Sequence, residues 1–233
     1  MRSLFQAVDT LLRGGFTREE DLRQGRIAAS LGQLAAAGIL LGLGYGACMG
    51  LYSTLRPGGP SYSQLLASIV KVPLLFLLTL VVTYPSLYVF SALANSPLKC
   101  LETARFLLLG VVANLALLAS FGPVTAFFTL STDSYPFMIV LNVFFFAASG
   151  AAGLVFLNRA TRKLFSADGS GGQKADLVFK IWVVVYGVVG AQMGWVLRPF
   201  IGSPRATFSF FRERDSNFFE AVIRTLKSLF VSP

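Results

Sequence analysis

Histidine is absent from this 233-residue chain, and cysteine occurs only at Cys48 and Cys100. Protein-bound haem, zinc and copper rely on imidazole or clustered thiolates, so no metal and no cofactor is expected. Acids are scarce as well, with 11 Asp and Glu against 20 Lys and Arg and a net charge of +9. Sparse, peripheral carboxylates and no imidazole leave no nucleophile–base set, and the chain does not read as an enzyme. The basic residues flank apolar segments instead of forming a framework for reading bases. Anionic lipid headgroups are therefore the expected electrostatic partner, and nucleic acid is not.

Apolar residues are what the chain has in excess: 55% are hydrophobic, 22 of them Phe, and mean hydropathy is +0.67. Five long runs, at 31–52, 72–94, 106–130, 136–157 and 178–198, contain no acidic residue. Each is near or above the ~20 residues that a helix needs to cross a bilayer core. The expected fold is all-α, a polytopic transmembrane bundle of five spans with amphipathic terminal helices. Its parts are a cytoplasmic lead-in over 1–30, the bundle over 31–198 and an interfacial tail over 199–233. The N-terminus does not read as a removable signal peptide.

Within the lead-in, Leu4, Phe5, Val8, Leu11 and Leu12 share one helical stripe, and Thr17 with Glu20 has capping-box spacing. In the first span Gly38, Gly42, Gly46 and Gly50 recur every four residues, so they mark a face on which another backbone can approach closely. The partner of that face is either a helix of this chain or another subunit. A helix beginning over 61–68 can continue through Lys71 and Pro73 into the second span. Pro85 is expected to kink that span, and Gly122-Pro123 to kink or break the third. In the fourth, Phe144, Phe145 and Phe146 are expected to face lipid, ahead of a close-packed stretch of small residues at 147–153.

Asn114, Asn142 and Gln192 are polar side chains inside spans, each requiring a hydrogen-bond partner across an interhelical contact. Trp195, Arg198, Arg205 and Arg212 are candidates for an interface anchor or an anionic-lipid site. Phe218, Phe219, Val222, Ile223 and Leu226 form the apolar stripe of a tail helix, suited to lipid or to partner docking. Basic residues in the first segment, at 95–105 and at 158–180 favour a cytoplasmic N-terminus. The basic tail conflicts with that assignment by falling on the other side, unless one run is re-entrant.

The stretches Tyr84-Pro85-Ser86-Leu87-Tyr88-Val89-Phe90, Gly122-Pro123-Val124-Thr125, Tyr135-Pro136-Phe137, 192–204, and the tail from Phe210-Phe211-Arg212-Glu213 to Phe219-Glu220-Ala221-Val222 resemble a poorly characterised group of bacterial multi-span membrane proteins. The likeness covers nearly all of the chain after residue 25 and implies membrane architecture, with no reaction attached. The five-span layout is more distantly similar to the Yip family of membrane-trafficking proteins. The expected role is a noncatalytic integral membrane subunit or scaffold in the bacterial inner membrane. Its expected partners are the lipid bilayer and another integral membrane protein or further copies of itself. The alternative is a transporter or lipid-handling protein for a neutral or anionic small molecule.

Overall fold

The computed structural model describes residue 9 and residues 30–55, 61–93, 100–165, 172–202, 208–211 and 218–231. The expected lead-in stripe and capping box, with Arg205 and Arg212, lie outside the described residues. The elements are α1 (Leu31–Gly50), a short 3-10 turn (Leu51–Ser53), α2 (Tyr62–Leu93), α3 (Cys100–Ser120), α4 (Gly122–Ser131), α5 (Tyr135–Phe165), α6 (Gly172–Val196) and α7 (Phe218–Val231). They form an all-α bundle. Among the described residues four stretches, Leu31–Ser53, Tyr62–Ser86, Leu101–Ser131 and Tyr135–Arg159, are long and apolar enough to cross a membrane, and Ile181–Val196 is a shorter apolar stretch.

α1 is the centre of the bundle and packs on α2, α3 and α4. It starts where the Ser30 side chain accepts a hydrogen bond from the Gln33 amide at 3.2 Å, satisfying one of the orphan donors of its first turn. α2 also packs on α6, and α5 on α3 and α6. Leu34, Tyr45, Met49, Leu107, Leu109, Leu115, Leu118 and Trp182 are fully buried between these helices. Leu40, Val81, Leu130, Phe144 and Val184 are exposed on the outside. Large apolar residues on both the inner and outer faces suit a bundle whose surroundings are hydrocarbon.

The second span starts earlier than its most apolar run. α2 begins at Tyr62 and runs unbroken through Pro73 and Pro85, which places Lys71 inside a candidate span. The third run is interrupted at one residue, Phe121, between α3 and α4. The Phe121 amide donates back to Leu118 O at 3.0 Å and its carbonyl accepts from Thr125 N at 2.9 Å. Little backbone bonding is lost at the break, and Pro123 sits in the first turn of α4, where it needs no partner for its nitrogen. The expectation for the Phe triplet is corrected. Phe144 alone is exposed, whereas Phe145 stacks on Phe121 at 4.6 Å and Phe146 on Phe76 at 5.9 Å between ring centroids. Successive residues on a helix point about 100° apart, so three in a row cannot share one lipid-facing surface.

One end of the bundle gathers the 3-10 turn, the start of α2 and the α4–α5 link. Tyr52 Oη donates to Asp133 O at 3.2 Å, and the Ser61 amide donates to Ser53 O at 3.1 Å. The segment that leaves α6 comes to the same end, because a Cβ on Gly202 would lie 3.0 Å from Ser53 Cβ and 2.9 Å from Gln64 Cγ. α7 then lies against α5 and α6.

Candidate functional site

Three polar side chains, Gln64, Ser68 and Lys71, occupy α2 at spacings of four and three residues, which places them on one helical face. All three are buried, Lys71 completely. Counting from Tyr62 at 1.5 Å per residue, Lys71 lies about 14 Å along the axis of α2. A polar stripe at this depth needs partners, and the strap that follows α6 supplies them.

The strap, residues 197–202 continuing to 208–211, has no regular secondary structure, so its carbonyls cannot be satisfied within a helix. Lys71 Nζ donates to Pro199 O at 2.9 Å and also to Phe210 O. Gln64 Nε2 donates to Pro199 O and Phe200 O, each at 3.2 Å. Ser68 Oγ reaches Phe200 O as well as Gln64 O, the latter at 2.8 Å. A carbonyl left unsatisfied away from water costs several kcal/mol, and the stripe supplies partners to the carbonyls of Pro199, Phe200 and Phe210. Lys71 Nζ also lies 4.5 Å from the Phe210 ring centroid and 5.8 Å from that of Phe211, within reach of cation–π attraction. Leu197, Pro199 and Ile201 are buried beside this clasp, and the Arg198–Pro199 peptide is cis.

The glycine face of α1 holds the other side of the same helix. A Cβ at Gly42 would lie 2.9 Å from Pro73 Cβ, at Gly46 2.7 Å from Ser68 O and 2.8 Å from Ile69 Cα, and at Gly50 2.8 Å from a Leu65 methyl. Gly38 faces Val112 and Leu115 of α3 more loosely, at 3.5 Å. The face is therefore spent inside the chain, mainly on α2. Pro73 has no N–H for the carbonyl four residues earlier, that of Ile69. A Cβ on Gly46 would lie 3.0 Å from that oxygen, so a glycine hydrogen points toward it.

The remaining polar candidates separate. Asn142 accepts from Tyr45 Oη at 2.7 Å and donates to Met138 O at 2.7 Å, with Thr125 Oγ1 3.5 Å from the same hydroxyl. Asn114 lies elsewhere, on α3, and its buried Oδ1 has no hydrogen-bond partner among the described residues. Gln192 is half-buried on α6. The Arg198 guanidinium carbon stands 3.7 Å from the Trp195 ring centroid, so those two neighbours stack. On α7, Phe219, Ile223 and Leu226 are exposed, while Phe218 and Val222 are half-buried. The stripe expected to act as one surface is thus divided between the two conditions.

No family model, no curated protein and no solved structure matches the chain. Among the described residues no group of three or more His, Cys, Asp and Glu side chains could hold a metal ion. Gln64, Ser68, Lys71 and Tyr45 were not nominated from sequence. The first three carry a signal in their spacing, because steps of four and three residues place them on one helical face.

Proposed function

We propose that this chain is a noncatalytic integral membrane subunit that binds another integral membrane protein through its tail. It crosses the bacterial inner membrane five times, with the N-terminus cytoplasmic, and belongs with the multi-span proteins that its sequence resembles. α6 is the fifth crossing. The arrival of the strap at the end of the bundle that holds Ser53 and Asp133 supports that count, because an odd number of crossings brings the chain from the α1 start to that end.

The observation that carries the reading is the clasp on Lys71. A buried ionisable residue inside a membrane span marks a functional site by default, and here its donors reach backbone carbonyls of the chain's own strap. The clasp gives the tail a fixed root. Beyond it, α7 rests on α5 and α6 and keeps Phe219, Ile223 and Leu226 exposed beside Arg224 and Lys227. Apolar anchors rimmed by charge are the usual composition of a docking surface.

Purification from native membranes in mild detergent, with and without prior crosslinking in the membrane, tests the proposal. A second membrane protein in stable ratio is the expected result. Recovery of a monomer alone after crosslinking overturns it.

A further inference from the structure

Asn114 and Tyr186 face the same small cavity from different helices. The cavity measures about 20 Å³ and lies between α2, α3, α5 and α6, with Leu80, Leu107, Leu154 and Leu157 among its walls. Asn114 is 5% exposed. Its Oδ1 and the Tyr186 hydroxyl are both buried without a hydrogen-bond partner among the described residues. Two residues on one cavity wall that each carry an orphaned polar atom are unusual, because buried polar atoms are nearly always paired, by protein or by ordered water. The third polar group on the wall, Trp182 Nε1, already donates to Thr83 O at 3.3 Å.

The backbones around the cavity hold these groups in place. A Cβ on Gly153 of α5 would lie 2.9 Å from Asn114 Cβ and 3.4 Å from Gly110 O, so α3 and α5 touch closely beside the amide. The Tyr186 ring packs on that of Trp182, with centroids 5.2 Å apart. Closing the gap by moving either side chain would disturb these contacts.

Size and chemistry together select the occupant. About 10–15 Å³ on this measure admits one water, so the cavity has room for a single water. Its wall carries no Asp, Glu, Lys or Arg, and an ion would remain uncompensated there. The two orphans are complementary to a molecule that donates to an amide oxygen and accepts from a phenol. We propose that Asn114 and Tyr186 bind one buried water, which bridges α3 to α6 inside the membrane domain.

The test uses the full-length protein in lipid nanodiscs, at a resolution that shows ordered water. The expected result is a density peak about 3 Å from both Asn114 Oδ1 and Tyr186 Oη, absent from Tyr186→Phe. A wild-type map with no peak between the two groups overturns the proposal. Unfolding temperatures of Tyr186→Phe, Asn114→Leu and the double variant give a second readout. Each single change is expected to lower the midpoint by about 2–4 °C, and the double change by no more than the larger single loss, since either one removes the bridge. Additive losses would mean that the two groups act independently and would also overturn it. Tyr186→Phe removes one oxygen and keeps the ring on Trp182, and if Asn114→Leu does not fold, the wild-type and Tyr186→Phe maps decide the matter.

Discussion

Lys71 and Pro199 are 128 residues apart in the chain and 2.9 Å apart in the fold, the lysine ammonium donating to the proline carbonyl. The bond joins the second helix to the segment after the sixth, so the tail's position depends on a residue in the first third of the protein. Lys71→Met keeps most of the stem and removes the donors. The expected loss is about 2–4 kcal/mol, because both lysine bonds vanish and the Pro199 carbonyl stays buried. Thermal unfolding in detergent measures it. Lys227→Met, on the exposed face of α7, is the control and is expected to leave the midpoint unchanged.

The glycines of α1 give a contrast within one helix. A Cβ at Gly46 would meet the α2 backbone at 2.7–2.8 Å, whereas one at Gly44 meets nothing within 4 Å. Gly46→Ala is expected to destabilise by about 1–3 kcal/mol through overpacking. Gly44→Ala is expected to be neutral or stabilising by up to about 1 kcal/mol, since alanine is the better helix former. Equal effects in a thermal melt would contradict the close approach of α1 to α2.

Tyr45→Phe deletes the hydroxyl that donates to Asn142 and leaves the ring edge-on to Phe146, 5.7 Å between centroids. The expected cost is about 0.6–2 kcal/mol, the range for interhelical hydrogen bonds in membranes. A double-mutant cycle with Asn142→Leu should show coupling of similar size. Strict additivity would mean that the bond contributes nothing measurable.

The proposed docking surface has its own test. Replacing Phe219, Ile223 and Leu226 with Ser is expected to abolish recovery of the partner from native membranes and to shift the bundle's melting temperature little, since all three side chains are exposed. Retention of the partner would move the interface elsewhere on the molecule.

The bundle was legible because hydrocarbon imposes long apolar runs, and the runs at 31–52, 106–130 and 136–157 lie close to helices found in the structure. Gly42 and Gly46 announced a close approach by their spacing, but spacing cannot say which backbone approaches; Pro73 and Ile69 do. The clasp stayed hidden for two physical reasons. Gln64, Ser68 and Lys71 lower local hydropathy, so the second apolar run begins at residue 72, after them. Their partners, moreover, are main-chain carbonyls, which every residue possesses and no sequence pattern marks. Asn114 and Asn142 looked equivalent as intramembrane amides, yet one meets Tyr45 and the other a cavity, a distinction set by helix rotation in the assembled bundle.

The clasp also has a bearing on biogenesis. A chain is made from its N-terminus, so α2 is synthesised long before the strap, and Lys71 reaches the insertion machinery with Pro199 still 128 residues away. A lysine near the centre of an inserting helix opposes membrane entry by about 2.5–3.5 kcal/mol on insertion scales. Until the strap is made, α2 relies on its apolar remainder, on α1 through Gly42 and Gly46, or on water and headgroups near its start to offset that opposition. Assembly of this membrane domain is therefore complete only when the last of its chain arrives, and a ribosome stalled within α6 would leave the second helix the least secure of those already inserted.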